Sequence, residues 1–449
     1  MQKVVEELKQ LTVKLSSLKQ QYPSDEKEIK KNKNALQDIT NKISNFQVKL
    51  NQHSKKLKKI IGVENITIED IASVLKHDET YLDFANTKYG YFLITINKNS
   101  YNFLRLPQTT METIDFEMKQ FINMNDKIVA KELVGTTQVD KLIPKSQKIL
   151  TKLYDMILLR YLKHKTSLII SPDGLLNFLP FEALYHENKY LIETHSIHYT
   201  PSAREFIRGH KQKKLHNQPN KEVVVFAHPQ YGEDTKPTTQ VVAFNTKSSQ
   251  THKRRLVDIP YLAPLKGALE EIKILKKFDT NATVYQDANA TVENLLKINS
   301  PKILHISTHG VFLDNNDSNP MQQSALAFAG TDRARMYKDS SGFATALKLS
   351  TLNLANTDLV VLSACDTGIG TINQAEGVVG LPKAFIQAGA QNIIMSLWKV
   401  SDRETTQLMQ HFYDNLSQGM SYKKALREAK LKMINMHPYY WSSFVLSGS

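Results

Sequence analysis

Ile303-Leu304-His305-Ile306-Ser307-Thr308-His309-Gly310 and, further along, Leu359-Val360-Val361-Leu362-Ser363-Ala364-Cys365-Asp366-Thr367-Gly368 decide how this chain folds. Each begins as a short apolar run and stops at polar residues followed by glycine. That is the pattern of a strand buried on both faces, running out into a loop. Working outward, helical periodicity covers 264–278, 292–299 (with Thr291 as N-cap), 376–388, 402–416 and 422–435, the last stopping before Pro438. Ser401 and Glu404 have the spacing of a capping box. Strand-like runs lie at 282–286, 324–328, 392–398 and 440–446. Strands alternating with helices predict an α/β fold with a mainly parallel sheet flanked by helices.

Upstream, 66–76 reads as a short helix. The stretches 81–84, 89–96 and 101–106 read as a β-meander, and 111–163 as mostly helical. Ser167–Ile170 is a strand ended by the turn Pro172-Asp173-Gly174. Residues 203–222 are polar and basic, and Val223–Ala227 is a further strand. The stretch 231–258, with the basic cluster Lys253-Arg254-Arg255, reads as a long exposed loop. At the N-terminus, Val4, Leu8, Leu11, Leu15 and Leu18, then Leu36, Ile39, Ile43, Phe46, Leu50 and Leu57, follow a near-heptad rhythm. Tyr22-Pro23-Ser24-Asp25 breaks it, which predicts an antiparallel coiled-coil hairpin over 1–65. A helix already in pattern near Met1 raises the expectation of more helices in a longer natural chain.

The 449 residues are too many for one ordinary core. Hydrophobic content of 41% and charged content of 23% fit a globular protein. No apolar run reaches membrane-spanning length and no signal-peptide pattern is present, so a cytoplasmic protein with no membrane partner is expected. The formal charge is +14, of which +8 belongs to the 14 lysines and 6 acids of residues 1–61. These lysines lie between heptad positions without interleaved aromatics, the pattern of a solvated helical face. Nucleic acid is therefore not directly expected as a partner.

The chain has a single cysteine, Cys365, so it can form no internal disulfide. A lone cysteine is ordinarily a small buried hydrophobe. Here it stands just past the end of one strand, as His309 stands past the end of another, and adjacent parallel strands place both on one sheet edge. Binding sites of open α/β sheets form along that edge. An imidazole beside a thiol draws off its proton, and the imidazolium returns a proton to a leaving amine. Gly310 lacks a Cβ, so its backbone N–H approaches a substrate closely. With the N–H of Cys365 it makes a candidate oxyanion hole. No His/Cys/Asp/Glu spacing suits a metal, and no cofactor is expected.

Residues 77 to 446 resemble the CHAT family, caspase-like proteins of clan CD that are often found beside TPR repeats. The resemblance rests on an ordered set of segments. They are Ser171-Pro172-Asp173-Gly174, Leu179-Pro180-Phe181-Glu182-Ala183-Leu184, Tyr199-Thr200-Pro201-Ser202-Ala203, His305–Gly310, Leu362–Gly368, Glu376-Gly377, Ala388-Gly389-Ala390, Ser396–Asp402, and His437-Pro438-Tyr439-Tyr440-Trp441 before Phe444. It implies a cysteine endopeptidase with His309 as general acid/base, Cys365 as nucleophile, and Gly310 and Cys365 N–H groups in the oxyanion hole. It also implies a separase-like pairing of a degenerate protease-like half, 77–230, with a catalytic half, 255–446.

Asp366, Glu376 and Asp402 are candidates for recognising a substrate side chain, since a carboxylate in a first subsite selects Arg or Lys. Asp402 also begins a helix, where the dipole alone favours an acid. His305, His195, His228 and His411 read as structural. Ser324–Gly330 is a candidate for extended substrate binding by strand addition, with a buried core strand as its alternative. The leading function is a regulated cysteine endopeptidase cleaving a specific protein. An upstream activator or sensor is its expected partner, and the resemblance suggests a bacterial defence or cell-death setting. The alternative is a catalytically silent scaffold that binds partners through the helical hairpin.

Overall fold

The computed structural model describes residue 42 and residues 66–87, 89–133, 139–159, 162, 166–213, 222–232, 262–312, 320–322, 324–332, 342–363, 375–398 and 400–448. Apart from residue 42, the expected hairpin over 1–65 lies outside these residues, as do Cys365, Asp366 and most of the 231–258 loop.

The strands, in chain order, are β1 (Glu79–Thr87), β2 (Gly90–Asn97), β3 (Tyr101–Arg105), β4 (Ser167–Ser171), β5 (Tyr185–His186), β6 (Lys189–Tyr190), β7 (Ser196–Tyr199) and β8 (Val223–Pro229). They continue as β9 (Thr283–Asp287), β10 (Ile303–Ser307), β11 (Gly310–Phe312), β12 (Ser324–Ala327), β13 (Phe343–Thr345), β14 (Leu359–Leu362), β15 (Asn392–Ser396) and β16 (Phe444–Gly448). Eleven of them form one sheet in the order β3-β2-β1-β4-β7-β16-β15-β14-β10-β8-β9. The β1–β2–β3 meander and the β15–β16 pair are antiparallel, and every other pairing in this sheet is parallel. The mainly parallel α/β fold expected from the sequence is what the chain adopts.

Burial explains the composition of the central strands. Val223, Val225, Ile303, Leu359, Val361 and Ile394 pack on one face, while Val224, Phe226, Leu304, Ile306, Val360, Leu362 and Ile393 pack on the other. Both faces are covered, so these strands are apolar throughout rather than alternating. The first face is roofed by helices 266–278, 402–417, 422–431 and 143–157. In the last of these Ile149, Leu150, Leu153 and Ile157 make one helical stripe. Helices 346–349 and 375–387 cover the second face.

β16 joins the two groups of strands, antiparallel to β15 and parallel to β7 through Ser447↔Tyr199. β8 lies within residues 77–230, the expected degenerate half. It is hydrogen-bonded on both sides to strands of the second group, β10 and β9, so by pairing it belongs with them.

Several local expectations shift. The polar stretch after 203 begins with a helix, Ala203–Lys213, which buries Phe206 and Ile207 among otherwise polar residues. The final segment is a short helix, Pro438–Trp441, followed by the strand Phe444–Gly448, rather than one strand from 440. Ser401 is the N-cap of helix 402–417, but its hydroxyl bonds the Glu404 carboxylate instead of a backbone N–H, so the capping box is not closed. Ser324–Ala327 is fully buried and flanked on both sides, by β11 and β13 in a separate three-stranded sheet. It therefore takes the core-strand alternative and offers no open edge for strand addition. Among the described residues no helix is long and apolar enough to cross a membrane.

Candidate active site

β10 and β14 are direct parallel neighbours, with Ile303 opposite Leu359 and Ile306 opposite Leu362. Ser363 N–H then donates to Ile306 O at 2.9 Å, one step past the last paired residue. In each strand the residue of interest follows three positions after the last pair: His309 after Ile306, and Cys365 after Leu362.

His309 is partly exposed and held from two sides. Its Nε2 lies 2.7 Å from the carbonyl oxygen of Ala263, just ahead of helix 266–278. A carbonyl only accepts, so Nε2 carries the proton and Nδ1 is left as the basic nitrogen. On the other side its backbone N–H donates to the Tyr231 hydroxyl at 3.3 Å. The Tyr231 ring lies against the imidazole, centroids 5.3 Å apart. The Tyr231 hydroxyl in turn is 2.9 Å from Thr308 Oγ1, which donates to the carbonyl of Ala327. The direction is fixed from the far end. Thr308 gives its proton to Ala327 O, Tyr231 gives its proton to Thr308, and the Tyr231 oxygen receives the His309 N–H. Tyr231 was not singled out from the sequence, where it sits at the start of a polar loop. Its nearest signal is an aromatic residue just after a buried strand.

Gly310 opens β11 opposite Leu326 of β12. Ala327 N–H donates to His309 O at 2.9 Å, which makes Gly310 and Leu326 a non-hydrogen-bonded antiparallel pair. β12 therefore does not take the Gly310 N–H, as an oxyanion donor requires.

Beneath this edge, on the face of helices 266–278 and 402–417, lies a buried polar cluster. Glu271 is 3% exposed. Its Oε2 is 2.7 Å from His305 Nε2, and its Oε1 accepts from Ser307 Oγ at 3.1 Å and Ser363 Oγ at 2.8 Å. His305 Nδ1 is 2.9 Å from the Tyr413 hydroxyl. Burial, with the Glu271 charge beside it, pushes the Tyr413 phenol well above its usual range. His305 is fully enclosed in this cluster and is not at the surface with His309.

At the same carboxyl edge His228, one residue before the end of β8, and Asp287, the last residue of β9, have left-handed backbones, φ 51° and 52°. His228 Nδ1 is 2.8 Å from Asp287 Oδ1, and that bond holds the Asp287 carboxyl below the usual carboxylate range. Asp402 is the first residue of helix 402–417. It accepts from Gly267 N–H at 3.5 Å and so ties the starts of the two helices that roof the Glu271 cluster. Glu376 falls in the first turn of helix 375–387, and its side chain is not among the described atoms. The structure thus brings His309, Gly310 and the end of β14 to one edge. Asp402 lies at the N-terminal end of the helices beside Ala263. Among the described residues no group of three or more His, Cys, Asp or Glu side chains could hold a metal ion.

Fold and site together define an α/β protein whose polar edge carries a histidine at the end of one central strand, beside the strand that leads to its only cysteine. The CHAT domain family matches residues 147–449, and the chain belongs to that family. It is 26% identical over 313 residues to tetratricopeptide repeat protein 28 of Mus musculus, and 26% identical over 312 residues to the Homo sapiens protein of the same name. Each match takes in 63% of this chain but 12% of the relative, so the chain spans a small part of those proteins' length. Among solved structures it is similar to the Saccharomyces cerevisiae separase–securin complex, at 11% identity and a TM-score of 0.48, covering 85% of this chain and 30% of that one. It is also similar to the Arg-specific cysteine proteinase gingipain R, at 9% identity and a TM-score of 0.39, covering 68% and 67%.

Proposed function

We propose that this chain is a cysteine endopeptidase working through His309 and Cys365. The observation that carries the reading is the orientation of His309. Ala263 O takes the Nε2 proton at 2.7 Å, which leaves Nδ1 basic at the end of the strand paired in parallel with the one leading to Cys365. Nδ1 takes the thiol proton and the thiolate attacks a peptide carbonyl. The Gly310 and Cys365 N–H groups receive the oxyanion. The imidazolium then gives its proton to the leaving amine, and water hydrolyses the thioester by the same base. In this reading residues 255–446, with β8 paired into their strands, are the catalytic half and the rest of 77–230 is a degenerate half. The protein acts in the cytoplasm on a specific protein substrate and answers to an upstream activator, in a setting such as bacterial defence. Asp366, Glu376 and Asp402 are the carboxylates to test for selection of a basic residue before the scissile bond.

A positional peptide library incubated with wild type and with Cys365→Ala tests it. Cleavage by wild type alone is the expected result. Cleavage by both proteins, or by neither across candidate activators, removes the peptidase reading. It would leave a scaffold that binds partners through residues 1–65.

A further inference from the structure

We propose that Glu271 is a positioning residue for the reaction, a buried carboxylate that clamps the ends of the two strands carrying His309 and Cys365. The inference rests on the peptidase reading above. Backbone pairing of β10 and β14 ends at Ile306↔Leu362, with one more bond from Ser363 N–H to Ile306 O. At that point the Glu271 Oε1 atom takes over. It accepts the Ser307 hydroxyl of one strand at 3.1 Å and the Ser363 hydroxyl just beyond the other at 2.8 Å. His309 is two residues past Ser307, and Cys365 two residues past Ser363. The clamp thus grips each strand end two residues in sequence before the reactive residue.

The other carboxylate oxygen meets His305 Nε2 at 2.7 Å, and Tyr413 closes the far side of that ring at 2.9 Å. The titratable groups facing Glu271 are thus His305 from β10 and Tyr413 from helix 402–417. Asp402, at the start of that helix, lies by Gly267. Among the described residues Glu271 has no Lys or Arg ion pair, only His305.

A carboxylate at this place is costly for stability. Glu271 occupies a core position of an amphipathic helix, in the stripe with Ala268, Ile272 and Leu275, where an apolar side chain would pack without desolvating a charge. An apolar residue could not hold two strand ends at fixed separation through directed bonds. Reacting groups must be held within a fraction of an ångström for catalysis, and that is what supporting hydrogen bonds supply.

The test compares wild type with Ser307→Ala/Ser363→Ala, which removes the donors and keeps the carboxylate, and with Glu271→Gln. Two readouts are taken on folded protein checked by near-UV circular dichroism. They are peptide cleavage kinetics and the pH profile of iodoacetamide alkylation at Cys365, the chain's single cysteine. In both variants kcat should fall tenfold or more while KM stays within twofold. The alkylation midpoint of the double variant should rise by half a pH unit or more toward that of an isolated thiol. A purely structural role would lower stability and leave midpoint and kcat per folded molecule unchanged, and that result overturns the proposal. If wild type cleaves no peptide, the peptidase reading fails. The alkylation profiles then decide the clamp separately, coincident profiles overturning it and a raised midpoint supporting it. If Glu271→Gln does not fold, the double variant decides on the same readings.

Discussion

The Lys430 ammonium stands 2.7 Å from Oε1 of Glu182, with the two side chains 1% and 6% exposed. They belong to different parts of the sheet's roof, Glu182 to the loop after β4 and Lys430 to helix 422–431. The Tyr199 hydroxyl donates to the other carboxylate oxygen of Glu182 and accepts from Phe181 N–H at 2.8 Å. Burial, and then the Glu182 charge, pushes the Tyr199 phenol well above its usual range. Removing one partner leaves a buried charge without compensation. Lys430→Met should therefore cost about 3–5 kcal/mol of unfolding free energy. Glu182→Leu combined with Lys430→Met should cost much less, because no charge is left behind. Urea unfolding of the single and paired variants measures the difference. Equal losses would mean that the ion pair does not join these elements.

The Tyr231 hydroxyl has two duties, accepting the His309 N–H and donating to Thr308. Tyr231→Phe keeps the ring against the imidazole and removes only the oxygen. The loss should be about 1–2 kcal/mol of stability. Where the peptidase reading holds, kcat should fall severalfold with little change in KM, because the backbone that carries His309 loses its anchor. A drop confined to KM would mean that Tyr231 contacts substrate instead.

The sequence made the central strands legible because they are buried on both faces, and a short unbroken apolar run has few other readings. The same run of residues put His309 just past the end of β10, where the structure has it, with Gly310 opening β11. What the sequence did not reveal were the partners of buried polar groups. Glu271 precedes Ile272 in a helix with exposed charges around it, and only its place in the apolar stripe marks it as a core residue. Lys430 sits in a basic stretch of the helix with nothing local to mark it as buried, yet it is 1% exposed. Helix 203–213 was hidden because its buried large apolar side chains, Phe206 and Ile207, stand among polar residues. Tertiary contact, not local pattern, decides each of these.

Gly389 has φ +111°, and a Cβ built there would come within 2.9 Å of both Cα and N of Ala355. Backbone atoms cannot swing aside as a side-chain tip can. Gly389→Ala should cost more than about 2 kcal/mol, combining dihedral strain with a clash. Gly419, at φ +80° and with open space around it, is the control. Gly419→Ala should cost about 1–2 kcal/mol from backbone strain alone. Thermal unfolding of the two variants side by side separates them. An equal loss would show that the Ala355 contact yields.

His437 is buried at the start of helix 438–441, where its Nδ1 accepts from Tyr439 N–H at 3.1 Å. Burial pulls its pKa down from 6.5 to about 4. In the unfolded chain the ring takes a proton near pH 6.5, whereas in the native state it resists until about pH 4. Between those values the unfolded state binds the extra proton. Stability contributed by the neutral ring is therefore complete above about pH 6.5 and is lost as pH falls toward 4, by up to about 3 kcal/mol. His437→Asn keeps a cap acceptor and removes the titration. Unfolding free energy measured at several pH values between 7 and 4 should fall more steeply for wild type than for His437→Asn. Parallel curves would assign the acid sensitivity to other groups.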